Sequence, residues 1–360
     1  MTERIPLART DIGDAEVEGV SRVMESGRLA LGEEMRSFEQ SFADYHGVSG
    51  AVMVNSGTSG LMISLQAQGV GSGDEVIVPA LTFVGSINAI LAVGATPVLV
   101  DVERDSANID PNRVRGAVSS QSKSIMPVHL YGLPASMSEI LNIAQACELT
   151  VIEDACEAIG ADYDGNKVGS IGDAGVFGFY PNKVLTTGEG GMVISNDATL
   201  LARCRAMVNQ GRGEETSVPL GYSLRGSELS AAIGRAQLTS LDTRISEREQ
   251  IALRYVDALA AVPEVHLLSP NLPRSWFTFP VLLPDGVDRA RVKDELGKQG
   301  IASAEYFPAI QTLPGYKERI RASCDLLVSE DIGRRVLCLP FWRGVEVHIP
   351  EIIESLANSL

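Results

Sequence analysis

The chain has 360 residues, of which 45% are hydrophobic, so it can bury one large core and a smaller second one. Its formal net charge of -16 repels the phosphate backbone of nucleic acids, and no local basic stripe offsets that charge. Its apolar runs, such as 89–93 and 97–100, are far shorter than the roughly 20 residues that span a bilayer. We therefore predict a globular protein that acts on a small molecule and binds neither nucleic acid nor a membrane.

The start of the chain and its cysteines favour a reducing compartment. Residues 1–6 lack the basic start, apolar stretch and cleavage site of a signal peptide, so we predict a cytoplasmic protein. The five cysteines are widely spaced and form no C-x-x-C pair, which is typical of reduced thiols rather than disulfides or zinc sites. The four histidines are equally scattered and predict no metal site.

Two amphipathic helices are predicted near the N-terminus, at 16–26 and 33–45. Gly27 follows the first and Gly47 the second. Glycine commonly ends helices because it adopts the left-handed backbone conformation without strain.

Residues 50–195 alternate short β-rich apolar runs with helical stretches, the pattern of a parallel sheet covered by helices. Helices are expected between most of the strands, among them 61–68 and 137–147. The predicted strands are 51–54, 75–78, 98–101, 124–129, 150–153, 174–179 and 192–195.

The last third of the chain predicts a smaller unit. A charge-rich helical stretch at 227–260 precedes Pro263, and a strand region at 276–283 and a helix at 289–299 follow it. We place a domain boundary near residue 245. This division gives a large domain of residues 1–245 and a small C-terminal domain of residues 246–360.

A turn of small residues joins the first predicted strand to the next helix. It reads Asn-Ser-Gly-Thr-Ser-Gly over 55–60, and its amides and hydroxyls can converge on a phosphate at the helix N-terminus. The same sequence also fits a purely structural role, with Ser56 as the N-cap residue.

Asp154 stands at the carboxyl end of the strand predicted at 150–153, the edge where open α/β sheets bind ligands. A protonated pyridine nitrogen would be a suitable partner, because the carboxylate holds that proton on and the cationic ring becomes an electron sink. The alternative is that Asp154 caps a following helix or pairs with an arginine.

Lys183 lies between an aromatic strand end at 177–180 and a glycine-rich hairpin at 188–191. An amine near a cationic ring loses its proton more readily, so it can act as a Schiff-base nucleophile and later move a substrate proton. A solvated surface lysine is the alternative, since most lysines are exposed.

Seven ordered motifs together resemble the DegT/StrS family of sugar aminotransferases. The resemblance starts at Ile5 and weakens after about residue 315. The motifs are Gly57-Thr58-Ser59, PALTF at 79–83, PVHLYG at 127–132, EDA at 153–155, FYPNK at 179–183, GEGG at 188–191 and GYSLR at 221–225.

The resemblance implies an α/β fold like that of aspartate aminotransferase, a fold-type-I pyridoxal-phosphate enzyme. Such a fold has a mostly parallel central sheet with helices on both faces, plus a smaller C-terminal α/β domain. The resemblance also implies that pyridoxal 5'-phosphate forms a Schiff base with Lys183, that Asp154 pairs with its pyridine nitrogen, and that Phe83 stacks on its ring. The residues implied to hold the phosphate are Gly57, Thr58 and Ser59.

Four positions depart from the family pattern. Glu157 stands where the family usually has glutamine or histidine near the phenolic oxygen of the cofactor. An ionised carboxylate there would disfavour the phenolate, so we expect a protonated Glu157 or a shifted balance of cofactor forms. Gly178 and Ser223 replace a serine and an asparagine that bind phosphate, although Ser223 still offers one hydrogen bond. Gln311 replaces a histidine of the substrate pocket.

The resemblance also bears on partners. In the family the asparagine at the position of Ser223 comes from the neighbouring subunit, which implies a homodimer with shared active sites. Tyr306 and Phe307 are candidate substrate contacts, with simple packing as their alternative role.

We expect transfer of an amino group from glutamate to a ketone on a nucleotide-linked sugar, in the biosynthesis of amino sugars, polysaccharides or glycosylated metabolites. Sugar dehydration on the same scaffold is one alternative, but family members with that activity replace the lysine with histidine. A cofactor-binding regulator without turnover is another. A nicotinamide-dependent dehydrogenase is disfavoured, because the glycine run at 69–73 precedes a strand instead of following one.

Overall fold

The computed structural model describes residues 4–213 and 220–360, and an eight-stranded sheet is its centre. The strands are β1 (Gly50–Val54), β2 (Glu75–Pro79), β3 (Thr96–Val100), β4 (Ser122–Ile125), β5 (Thr150–Asp154), β6 (Asp162–Tyr163), β7 (Asn166–Lys167), β8 (Ala174–Gly178), β9 (Gly191–Ser195), β10 (His266–Leu267), β11 (Phe279–Leu282), β12 (Arg321–Ala322) and β13 (Val336–Leu339).

The central sheet is mostly parallel, as predicted. Its strand order is β1-β9-β8-β5-β4-β2-β3-β12, and only β9 runs against its two neighbours. The predicted strand at 124–129 was wrong at its end, because β4 stops at Ile125 and residue 128 forms only an isolated bridge with Asp154. Pro127 lacks the N–H that a continuing central strand needs.

The described residues form twelve α-helices. They are α1 (Asp14–Ser26), α2 (Glu33–His46), α3 (Gly57–Ala67), α4 (Val84–Ala92), α5 (Pro111–Ala117), α6 (Met137–Cys147), α7 (Ala198–Val208), α8 (Glu228–Thr239), α9 (Leu241–Leu259), α10 (Arg289–Lys298), α11 (Leu327–Arg335) and α12 (Ile349–Ser359). Across 4–213 and 220–360, none of them is long and apolar enough to cross a membrane.

The predicted helix ends near the N-terminus are confirmed. Gly27 and Gly47 follow α1 and α2 with φ of 67° at each, the left-handed conformation expected of capping glycines. The helical stretch predicted at 227–260 is present as two helices, α8 and α9, because Ser240 leaves the helical conformation between them and its hydroxyl donates to the Gln237 carbonyl. Serine competes for backbone hydrogen bonds in this way at helix ends.

Alternate residues along each central strand pack on opposite faces of the sheet. On β1, Val52 and Val54 join the core under α3, α4 and α7, whereas Ala51 and Met53 join the core under α2 and α8. Helices therefore cover both faces, which confirms the predicted fold class.

A separate apolar cluster forms around the antiparallel sheet β10-β11-β13. It contains Tyr255, Phe279 and Leu356, and the N-terminal residue Ile5 packs into it as well. The division at residues 245 and 246 stays a prediction, and residue 245 lies inside α9.

His46, the last residue of α2, is buried against aromatic rings. It stacks on Phe42 with ring centroids 4.4 Å apart, and its Nδ1 lies 2.9 Å from the Phe42 carbonyl oxygen. Burial lowers the pKa of His46 from 6.5 to about 4. The unfolded chain therefore binds one more proton than the folded chain between these two values, and stability falls as pH drops through that window.

His46→Leu should make the protein less sensitive to acid, because it removes the group that must be protonated on unfolding. Between pH 7 and pH 5 the wild-type chain should lose about 2 kcal/mol of unfolding free energy through this residue, and the variant should not. Urea unfolding at the two pH values measures the difference. The exposed His266 supplies the control variant His266→Gln, and equal pH dependence in all three proteins would contradict the assignment.

Candidate active site

Three strand ends meet at one edge of the central sheet. β5 and β8 are parallel, and β1 runs in the same direction because β9 is antiparallel to both β1 and β8. The turn of small residues at 55–60 follows β1, Asp154 ends β5, and the segment carrying Lys183 follows β8. The topology therefore brings the three predicted groups to the same edge.

The turn after β1 begins α3, and its capping role is observed. Ser56 is the N-cap residue and accepts the Ser59 N–H at 3.2 Å. The N–H groups of Gly57 and Thr58 donate no hydrogen bond within the described residues. Open amides at a helix N-terminus favour an anion.

Gly57 is required by close packing. A Cβ atom there would lie 2.7 Å from Cys156 Sγ and 3.2 Å from Gly178 Cα. A Cβ atom on Gly178 would meet Cys156 Sγ at 3.4 Å, which is ordinary contact. The site therefore has room for the serine that the family often has at position 178, and Gly178 is not a steric requirement.

Asp154 is buried and held by two donors. The Ser86 hydroxyl donates to Oδ2 at 2.7 Å, and the Cys156 N–H donates to Oδ1 at 3.2 Å. No arginine pairs with it in the described part of the chain, and no α-helix follows it directly. Neither alternative role considered for Asp154 is observed, and its charge is available to a cationic ligand.

Lys183 is mostly buried, with 16% of its side chain exposed, so it is not a surface lysine. Its Nζ lies 3.6 Å from Glu157 Oε1 and 3.9 Å from the centroid of the Phe277 ring. The other Glu157 oxygen accepts the Tyr131 N–H at 3.0 Å. Burial raises the pKa of Glu157 more than Lys183 lowers it, and Asp154 adds to the increase.

The predicted aromatic residues form a row that leads to Lys183. The Phe83 ring is half-exposed and lies 5.6 Å from Phe307, which lies 5.1 Å from Tyr306. Tyr306 in turn stacks at 6.2 Å on Phe277, the residue under the Lys183 amine. The row provides an apolar wall beside the amine.

Two predicted residues stand apart from these groups. The exposed Ser223 accepts a hydrogen bond from Arg225 at 3.1 Å, and Gln311 donates one to Glu330 at 3.3 Å. Neither side chain contacts Lys183 or Asp154 in the described structure.

Sequence patterns did not indicate Ser86, Tyr131 or Phe277 as site residues. Ser86 carried one usable signal, a hydroxyl inside the apolar stretch that follows Phe83. Tyr131 and Phe277 act through a backbone N–H and a ring face, and no residue pattern specifies those.

These residues fit pyridoxal phosphate. Open amides suit its phosphate, a buried carboxylate without a cationic partner suits its pyridine nitrogen, and a half-exposed ring suits its flat face. The Lys183 amine, carried on the segment after β8 at the same edge of the sheet, suits its aldehyde.

Comparisons with known proteins agree with this chemistry. The model of the DegT/DnrJ/EryC1/StrS aminotransferase family matches residues 10–357. GDP-perosamine synthase from Caulobacter vibrioides is 37% identical, over 99% of this chain and 98% of that protein. GDP-perosamine synthase from Escherichia coli O157:H7 is 35% identical, over 93% of each. A Streptococcus pneumoniae structure described as a sugar aminotransferase in its PLP form has a TM-score of 0.91 at 25% identity, covering 99% of each chain.

Gly57→Ala should destabilise the protein by about 1–3 kcal/mol, because the new methyl group overlaps the Cys156 sulfur and the Gly178 backbone. Gly178→Ala is the matched control, since its methyl group meets only ordinary contacts and should change stability by less than about 1 kcal/mol. Urea unfolding without cofactor measures both. Equal effects of the two variants would contradict the packing described for this turn.

Proposed function

Because the chain belongs to the DegT/DnrJ/EryC1/StrS aminotransferase family, we propose that its amino acceptor is a keto-sugar linked to guanosine diphosphate. The predicted activity, a pyridoxal-phosphate-dependent nucleotide-sugar aminotransferase, is confirmed, and so is the predicted cofactor. The names of the two GDP-perosamine synthases support the choice of nucleotide. The observation that carries the function is that the buried Lys183 amine, 3.6 Å from Glu157, follows β8 at the same carboxyl edge of the sheet where Asp154 ends β5.

The role of each side chain follows from its position. Lys183 is the amine that attaches the cofactor and then moves the substrate proton, because it is the lysine at this edge. Asp154, oriented by Ser86, keeps a proton on the pyridine nitrogen. When bound, pyridoxal phosphate supplies an aldehyde that carries the amino group and a ring that withdraws electrons from the reacting carbon.

Four more residues hold the cofactor in place. The open N–H groups of Gly57 and Thr58, with the Ser59 hydroxyl, bind the phosphate, and Phe83 covers the ring. Tyr306 and Phe307 line the acceptor site next to Phe83.

The alternatives lose support at specific residues. Sugar dehydration is disfavoured because Lys183 stands where dehydratases of the family have histidine. The dehydrogenase hypothesis is disfavoured because the glycine run at 69–73 lies between α3 and β2, ahead of a strand. A regulator without turnover would not need an amine buried beside a carboxyl.

The partners of the enzyme are part of the same proposal. L-Glutamate is the amino donor, and two copies of the chain form a homodimer in which Ser223 reaches the phosphate of the neighbouring subunit. Exposed apolar side chains near the N-terminus support such an interface: Val17, Met24, Leu29 and Leu31. The cytoplasmic location stays a prediction.

Lys183→Ala should abolish covalent attachment of pyridoxal phosphate, since it removes the amine at this edge. The visible absorption spectrum of the protein with added cofactor measures attachment. Lys167→Ala is the matched control, because Lys167 also lies over an aromatic ring, at 5.2 Å from Tyr45, but away from Asp154. A wild-type spectrum from the Lys183 variant would refute the assignment.

Asp154→Asn should lower kcat by at least about 100-fold while the fold is kept, because the amide no longer holds a proton on the pyridine nitrogen. Steady-state kinetics and circular dichroism measure the two effects. Asp173→Asn serves as control, since Asp173 accepts the Val151 N–H at the opposite end of β5. Turnover of Asp154→Asn within a few-fold of wild type would mean that another group holds the proton.

The nucleotide assignment predicts a preference among acceptors. The keto-sugar precursor of GDP-perosamine should be aminated with a kcat/KM at least about tenfold higher than uridine- or thymidine-diphosphate keto-sugars, a difference of about 1.4 kcal/mol. Mass spectrometry of the products measures the rates. A preference for another nucleotide would overturn the guanosine assignment and leave the aminotransferase activity standing.

A further inference from the structure

The Lys183 amine is close to two groups of the kinds that stabilise a protonated amine. Its Nζ lies 3.6 Å from Glu157 Oε1 and 3.9 Å from the centroid of the Phe277 ring. A protonated amine cannot attack an aldehyde. Lys183 therefore has to transfer its proton to another group before it can act.

Glu157 is held in place as the nearest acceptor. Its side chain is buried, and Oε2 accepts the N–H of Tyr131. Tyr131 is itself fully buried, with a left-handed φ of 54°, and its hydroxyl donates to the Tyr306 carbonyl. These contacts keep the carboxyl directed at Lys183 and away from solvent.

The Phe277 ring lies over the Lys183 amine. Arg248 donates to the Trp276 carbonyl at 2.6 Å and to the Phe277 carbonyl at 2.7 Å, which fixes the ring over the amine. The ring provides no proton acceptor and shields the amine from water. Direct exchange between Lys183 and bulk solvent is therefore hindered, and exchange with Glu157 is the short path.

We propose that Glu157 and Lys183 hold one proton between them at neutral pH, and that Glu157 takes this proton when the amine becomes a nucleophile. An N–H bond of the ammonium breaks and leaves its electron pair on Nζ, while an O–H bond forms at Oε1. Burial, which raises the pKa of Glu157, favours this transfer. The inference rests on the proposed function because it takes Lys183 as the attachment point.

Other ionisable groups face this pair and keep fixed roles. Asp154 is the nearest other charge and belongs to the cofactor nitrogen. The remaining groups facing Glu157 are Tyr131, Cys156, Tyr306 and Cys338, and burial raises the pKa of each. They stay neutral near pH 7, so the carboxyl and the amine titrate as one coupled unit.

The rate at which cofactor-free protein attaches pyridoxal phosphate tests the proposal without turnover. In a pair that shares one proton, internal exchange sets the neutral fraction of the amine. The wild-type rate should then change by less than about twofold per pH unit between pH 6 and pH 8. Glu157→Gln should show a rise of about tenfold per pH unit, because its amine has to lose the proton to water.

Two further variants complete the experiment. Glu157→Asp keeps the carboxyl and should keep the flat profile at a lower rate. Glu305→Gln removes a carboxylate that pairs with Arg289 and Lys293 elsewhere, and should behave as wild type.

Equal pH slopes in wild type and Glu157→Gln would overturn the shared proton. If Glu157→Gln also attached the cofactor faster than wild type at that equal slope, the two residues would form a simple ion pair instead. Absence of attachment in the wild-type protein would instead contradict the role of Lys183 and the proposed function. Attachment with the predicted difference in slope supports the proposal.

Discussion

The carboxyl ends of β1, β5 and β8 point the same way and meet at one edge of the sheet. This shared direction places the turn at 55–60, Asp154 and Lys183 at the same edge. Backbone pairing places Asp154 opposite Val176, two residues before the end of β8. Close packing of Gly57 on Gly178 sets the turn after β1 against the same strand end. The distances among the open amides of this turn, the carboxylate and the amine are therefore fixed by backbone contacts, which side-chain changes alter little.

A second constraint is the balance of buried charge. Two carboxyls, Asp154 and Glu157, share the edge with one amine, Lys183, and burying such groups is costly unless each has a partner. Asp154 has only neutral donors, which leaves its charge for a cationic ring nitrogen. Glu157 has the amine, and the pKa of Glu157 is raised. The site is thus matched to a ligand that is cationic at one end and anionic at the other.

Much of the fold could be predicted from the sequence, because its signals are local. Glycine caps at Gly27 and Gly47 and the short apolar run of β1 specify elements without distant contacts. The error at the end of β4 has a local cause too, because Pro127 ended that strand early. The helices α11 and α12 were missed, although Ile349, Ile352, Ile353 and Leu356 recur at helical spacing.

Within the site, Asp154 and Lys183 could be chosen from strand ends and motifs, and their roles stay proposals. Ser86 could not be connected to Asp154 because the two residues are 68 positions apart and meet only through the parallel pairing of the sheet. Tyr131 contributes a backbone N–H, which every residue other than proline has, so its identity carries no signal. The proximity of Glu157 to Lys183 likewise depends on tertiary structure.

The most direct test of the account is the visible absorption spectrum of the protein loaded with pyridoxal phosphate, recorded before and after addition of L-glutamate. The account predicts that glutamate replaces the band of the lysine-bound cofactor with that of the amine form, because Lys183 and Asp154 complete the first half of amino transfer without any sugar. A loaded protein whose spectrum stays unchanged with glutamate and every other amino donor, or a protein that binds no cofactor, would contradict it.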